Sequence, residues 1–366
     1  AKHRQQDEVT FHHKDPPWMI WSAVYLLAQR RQHIFGEDLT AQGIRLRLSP
    51  MKTTSSSEGK HLIFPIFLPM RGCPGSCIYC DQYRISGAEA DMGPEFDAAR
   101  EFLRRHRGKA RQIAFYGGSF TGLEEEQREL LLQPLLSELD EQSSFRISTH
   151  PLCINPNILH WCSANRITTI ELGIQDFSSS VLSASGRGYD SGTAIKAARL
   201  VNEHGFELGV QLMPGLPGWD ESSLALNHLM VKDIRPQLLR IYPCLVLKDT
   251  PLHELWRQGK YQPLSLTQAI SQSADWQQLC DQEGIKLIKV GLPSNLDANE
   301  IAAGPWHPAF GELVRAELLV RSLTAIYPAG SIIKLDKKQR NLIMAHGGIY
   351  HNILLERIKN CSVGLS

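Results

Sequence analysis

Net charge, paired cysteine spacing and long apolar runs are all missing from this 366-residue chain. Its 39 basic and 38 acidic side chains nearly cancel, leaving +1 at pH 7. Any contact with a polyanion must therefore come from a local patch rather than from a general positive field. The longest apolar run near the N-terminus, Trp18 to Ala28, is too short to cross a bilayer and is broken by Ser22. The 8 cysteines are too unevenly placed for a disulfide scaffold: three fall between positions 73 and 80, while Cys153, Cys162, Cys244, Cys280 and Cys361 are scattered. A tight thiol group without a secretory signal reads as metal binding in a reducing compartment. The expected location is the cytoplasm, with no membrane partner.

Two basic stretches stand out against the neutral background, REFLRRHRGKAR over residues 100–111 and the group Lys334, Lys337, Lys338 and Arg340. Each reads either as a solvated helix face or as an RNA contact. From residue 61 onward short β-rich runs recur at 61–68, 112–117, 145–149, 168–174, 206–213, 238–243 and 285–290. Segments with helical spacing, such as Gln127 to Leu139 and Gly192 to His204, lie between them. Strands alternating with helices predict βαβ units and a parallel sheet. Several runs end at Gly or Pro, where a parallel barrel places its active-site loops. The fold class is α/β, a partial (βα)6 TIM-like barrel over residues 61–292 with a C-terminal extension, 293–366, packed on it. Residues 1–60 read as an N-terminal extension to which no role is assigned. Met51 and the polar KTTSSSEGK after it read as a linker or a start.

The chemistry is concentrated in GCPGSCIYC, which sets Cys73, Cys77 and Cys80 in a C-x3-C-x2-C pattern directly after the first predicted strand. Three thiolates on one loop can each hold one iron of a 4Fe-4S cluster. The fourth iron then has no protein ligand, and an open position of that kind admits a chelating cofactor or substrate. Tyr79 can shield the cluster from water. Structural zinc is the alternative, but it wants a fourth ligand, and Cys153 lies far downstream. An electron-transfer ferredoxin would need a fourth cysteine too.

This motif resembles the radical S-adenosylmethionine (SAM) superfamily. The resemblance implies that the open iron chelates SAM and that reduction cleaves its C–S bond to a 5′-deoxyadenosyl radical. An external electron donor such as flavodoxin or ferredoxin is implied with it. Taken alone, the Gly-Gly of Tyr116-Gly-Gly-Ser-Phe120 is a turn; the resemblance assigns Gly117, Gly118 and Ser119 to the cofactor's methionine end. Glu171 and Gln175 are polar residues in an apolar strand, and buried polar groups need partners. The resemblance offers the cofactor's ribose and carboxylate, with Arg187 as a bidentate carboxylate clamp; a Glu171–Arg187 salt bridge is the competing reading. Met213, in the QLMPGLPG loop that can face the adenine, serves equally well as core.

The stretches IELGIQDF, SASGRGYD, FELGVQLMPGLPG and RIYPCLVLKDTPLHELWRQGKYQPLS are similar to the radical domain of the Elongator catalytic subunit and its bacterial stand-alone relatives. That resemblance implies tRNA as the partner and a nucleoside as the substrate. Three departures accompany it: STHPLCI stands where an arginine-proline-aspartate sequence is expected, the first two cysteines are closely spaced, and the chain ends too soon for a full acetyltransferase domain. Two other functions remain open, an enzyme resembling oxygen-independent coproporphyrinogen oxidase and a non-catalytic iron–sulfur protein. No catalytic residue is assigned. His307, in GPWHPAF, reads as an acid–base group or as a structural histidine in a Pro-braced turn, and Tyr242 and Lys248 as groups facing the barrel mouth.

Overall fold

The computed structural model describes residues 62–75, 77–86, 92–291 and 296–365. The extension over residues 1–60, its Trp18–Ala28 segment and the junction at 292/293 lie outside the described residues. Seven strands form one sheet in the order β1 (Leu62–Phe67), β2 (Arg111–Tyr116), β3 (Ser143–Thr149), β4 (Ile167–Gln175), β5 (Glu207–Leu212), β6 (Leu238–Ile241) and β8 (Lys286–Val290). All neighbours pair in parallel. The sheet curves into a half-barrel, and each strand falls on one of the β-rich runs. The seventh strand, β8, extends the six-strand expectation by one edge.

Each strand alternates sharply. Ile113, Phe115, Phe145, Ile147, Ile170, Leu172, Leu208, Val210, Leu239 and Ile241 are buried in one apolar core. The same core takes in Leu103, Leu132, Leu159, Ala198, Val231 and Trp276 from the surrounding helices. The intervening positions, Tyr116, Arg146, Ser148, Glu171, Gln211 and Arg240, are polar and bond to one another across the other, concave face, and Gln112 donates to Thr169 one layer lower. A period of two with one apolar side is what a sheet needs to bury one face against helices while the other lines a site. The helices are closed by local chemistry. Asp220 and Ser223 cap the helix Glu221–Ile234 reciprocally, and Ser265 and Gln268 do so for Leu266–Glu283, which ends at the left-handed Gly284.

After β6 comes β7 (Val246–Leu247), which pairs antiparallel with β9 (Ile301–Ala303) across the intervening helices and β8; the helices Phe310–Ile326 and Lys337–Arg357 and the parallel pair β10 (Ile332–Leu335) and β11 (Ser362–Leu365) follow. These last elements share an apolar core of their own with Ala269, Ile270 and Ala274. No helix among the described residues is long and apolar enough to cross a membrane.

The interior of β5 shows how closely the concave face is packed. A Cβ on Gly209 would lie 2.8 Å from Cγ of Glu171, on the neighbouring strand. Gly209→Ala should therefore displace the Glu171 side chain and lower stability by about 1–3 kcal/mol, the usual range for overpacking. Urea unfolding measures this, and an unchanged midpoint would show that the carboxylate is loosely held.

Candidate active site at the barrel mouth

Three loops at the C-terminal ends of the strands build the site. The cysteine loop follows β1 and lies on the loop that follows β2. The backbones touch: Ser119 N donates to Arg71 O at 2.9 Å and Met70 N to Gly117 O at 2.9 Å. A Cβ on Gly118 would stand 2.4 Å from Arg71 O, and one on Gly72 2.3 Å from Ser119 O. The glycines let one loop lie flat on the other, a role visible without any ligand.

Each cysteine thiol meets a donor from a different part of the chain. Ser119 Oγ approaches Cys73 Sγ at 3.7 Å, Arg187 Nη1 approaches Cys77 Sγ at 2.9 Å, and Gln82 Nε2 approaches Cys80 Sγ at 3.4 Å. Donors of this kind orient metal-binding thiolates and spread their charge. Burial raises the Cys73 thiol and pushes Cys80 up to about 12, each eased by its own donor. Iron would take the place of those protons.

Arg187 is buried behind this loop. Besides Cys77 it reaches Gly173 O, Tyr189 OH at 3.2 Å and Tyr79 OH at 3.4 Å. Its partner is thus the cysteine loop, and the Glu171–Arg187 salt bridge considered above does not form. His150 stands edge-on to Tyr189, ring centroids 4.9 Å apart, and accepts from Leu152 N through Nδ1. Burial and the Arg187 charge push its pKa down to about 3. It is a neutral group beside a buried cation.

Gln175 ends β4 at a bulge with a φ of 73°, a left-handed conformation that costs a non-glycine residue roughly 1–3 kcal/mol. Its Oε1 is buried without a partner, while its carbonyl accepts from Met213 N at 2.7 Å. Met213 packs, half-buried, in the apolar cluster that also takes in Cys77, Ile78, Cys80 and the buried Tyr79.

Below the mouth, Glu171 has no exposed surface. Arg146 Nε reaches Oε1 at 2.5 Å, Tyr116 OH donates to Oε1 at 3.0 Å and Gln211 Nε2 to Oε2 at 3.0 Å; Arg240 bonds both oxygens. Burial alone would raise this carboxyl, and the two guanidiniums outweigh it and hold it ionised. Tyr242 accepts from Arg240 Nη1 at 3.2 Å. Sequence reading passed over Arg146 and Arg240; the signal was an arginine at a concave-face position of an apolar strand.

Other expectations resolve locally. His307 accepts from Ala309 N at 3.0 Å and stands against His346, the arrangement of a turn histidine. Lys248 is exposed. Within residues 100–111, Arg104 and Arg107 face Glu138 and the buried Arg111 pairs with Asp140. Lys334, Lys337, Lys338 and Arg340 are exposed and have no acidic partner among the described residues. Cys153, distant in sequence, is brought to the cysteine loop: its thiol borders Gly122 beside Gly72 and is raised first by burial and then by Cys73.

The sequence profile of the Radical SAM superfamily matches residues 67–226, and that of the Radical_SAM C-terminal domain matches 236–319. The chain belongs to the radical SAM superfamily. Among curated proteins, it is 29% identical over 185 residues to a tRNA uridine(34) acetyltransferase of Methanocaldococcus infernus, covering 43% of this chain and 34% of that one. It is 25% identical over 230 residues to a protein of the same name from Dehalococcoides mccartyi, 52% of this chain and 50% of that one. Elongator complex protein 3 of Mus musculus matches at 26% over 171 residues, 41% and 31% of the two chains. The chain thus spans half or less of the length of these relatives. The solved structure of archaeal Elp3 from M. infernus, with an N-terminal deletion, superposes with a TM-score of 0.57 at 21% identity, covering 72% of this chain and 64% of that one.

This radical SAM chain is an enzyme whose cofactors are a 4Fe-4S cluster and SAM. The mouth fits them: three thiols on one loop each have a donor, and the buried Oε1 of Gln175 lacks a partner. The Glu171 pairing is the stability prediction of this site. Glu171→Gln should lower stability by about 3–5 kcal/mol, because it leaves two buried guanidiniums without their anion. The native carboxyl is held below its ordinary 4.5, so its contribution is present above that pH and is lost as pH falls through the lower folded value. Unfolding measured from pH 7 downward should show this acid limb in the native chain and a flatter one in Glu171→Gln; parallel curves would refute the pairing.

Proposed function

We propose that this chain reductively cleaves SAM at a 4Fe-4S cluster held by Cys73, Cys77 and Cys80, and acts on a uridine nucleoside of tRNA. The observation that carries the first half is the separate donor on each of the three thiols of one loop, beside an unpartnered glutamine. Bound there, the cluster would supply one electron to SAM and so generate a 5′-deoxyadenosyl radical. The protein's own part is positional. Ser119, Arg187 and Gln82 hold the thiols, Gln175 offers its free oxygen to the cofactor, and Met213 and Tyr79 keep water from the loop. Gly117 and Gly118 give the cofactor's methionine end a flat backbone to approach. An external one-electron donor such as flavodoxin or ferredoxin supplies the reductant.

The tRNA half is supported by the names of the relatives and by the charge pattern. The unpaired Lys334, Lys337, Lys338 and Arg340 lie on β10 and the start of the helix Lys337–Arg357. Four exposed cations with no acidic partner among the described residues can take RNA phosphates, whereas the stretch at 100–111 is largely neutralised by its own acidic neighbours.

Anaerobic reconstitution followed by assay of 5′-deoxyadenosine, with and without total tRNA, tests both halves. The nucleoside should form and should increase with tRNA. Cys77→Ala should lose the cluster absorbance and the product together; a fully active Cys77→Ala protein would remove the ligand assignment. Lys337→Glu with Lys338→Glu should weaken tRNA binding and flatten its salt dependence by about one unit of slope per lost phosphate contact. Arg104→Glu should leave binding unchanged, and the reverse ranking would move the RNA surface to the other patch.

A further inference from the structure

Charge on the concave face does not balance. In the layer around Glu171, Arg146 and Arg240 both turn to that carboxylate, and both of its oxygens are already engaged. A second nitrogen of Arg146, Nη2, is buried with no partner. Lys289 adds a third cation. It is the register partner of Arg240 on the neighbouring parallel strand, across a β-bulge that leaves Ile288 unmatched between the Leu239–Leu287 and Arg240–Lys289 pairs. Paired residues point to the same face of a sheet, and the bulge is what turns Lys289 away from the face of Leu287. Leu239 and Leu287, paired before the bulge, pack in the helix-covered core, as does Ile241 after it, while Val290 packs against the core of the C-terminal elements. Lys289 is half-buried, has no ion-pair partner among the described residues, and is shifted down by burial and by the charge of Arg240. The other acid on this face, Glu207, lies one layer lower and accepts from Thr169 Oγ1 at 2.7 Å. Three cations therefore face one carboxylate, at the end of the strands where the cysteine loop sits.

We propose that Arg240 and Lys289 form an anion subsite that takes a carboxylate or phosphate of the substrate beneath the cysteine loop. Like charges on adjacent strands repel, and an anion between them turns that repulsion into two charge-assisted hydrogen bonds. Arg240 is the inner wall, fixed by Glu171 and Tyr242, with 16% of its side chain exposed. Lys289, on the edge strand, is the outer contact. The inference rests on the concave face being the reaction chamber of the proposed enzyme, and not on the substrate being RNA.

The test uses the full chain with its cluster reconstituted and inorganic phosphate as the probe, followed by broadening of the phosphorus resonance. Phosphate should bind the native protein. Lys289→Met, which leaves the Glu171 network untouched, should bind it roughly tenfold more weakly, and Lys289→Arg should restore binding. Equal binding by the native and Lys289→Met proteins, or no binding by the native protein, would overturn the subsite. So would displacement of phosphate by SAM, since the cations would then belong to the cofactor's carboxylate. Two competitors tell the anion's source: uridine 5′-monophosphate binding more tightly than phosphate and uridine points to the nucleotide's own phosphate. Displacement by acetate points instead to the carboxylate of a second reactant, and either result keeps the subsite. Anion binding is read without SAM cleavage, so its failure is distinct from failure of the proposed reaction.

Discussion

A single carboxylate with no exposed surface organises the inside of this half-barrel. Glu171 ties Arg146 on β3 and Arg240 on β6 to β4, and draws in Tyr116 from β2 and Gln211 from β5. Five adjacent strands thus converge on one anion. Burying a charge is expensive unless it is paired and hydrogen-bonded, so the strands must keep their register for the carboxylate to be satisfied. Gly209 is bare because the stem of Glu171 occupies its space. The apolar outer face supplies burial free energy, while this polar layer specifies how the strands line up.

The mouth depends on that register. Arg187 can reach Cys77 because Gly173, at the bulged end of β4, presents its carbonyl to the same guanidinium. The bulge also turns Gln175 into its left-handed conformation and leaves its side-chain oxygen unpartnered. A buried arginine in turn favours a neutral neighbour, which is what His150 is.

Much of the fold was legible because strand alternation is written directly in the chain: a β-rich run at 145–149 or 206–213 needs no partner to be recognised. The cysteine loop was legible for the same reason, since its three thiols lie within one short segment. Gln82, Arg146, Arg240 and Cys153 were not legible, because their roles come from neighbours across the sheet or on another loop. The basic stretch at 100–111 was ambiguous until Glu138 and Asp140, 29 to 34 residues away in these pairings, appeared beside it.

By itself, the sequence determined the α/β class, the succession of strands and the grouping of three thiols on one loop, since periodicity and spacing are local quantities. Only the tertiary structure decided which donor meets which thiol, which arginines neutralise Glu171, which basic patch stays free, and that Lys289 stands beside Arg240. Those are differences between charges and dipoles on separate strands. Their energies depend on distance and burial, which exist only once the sheet has closed.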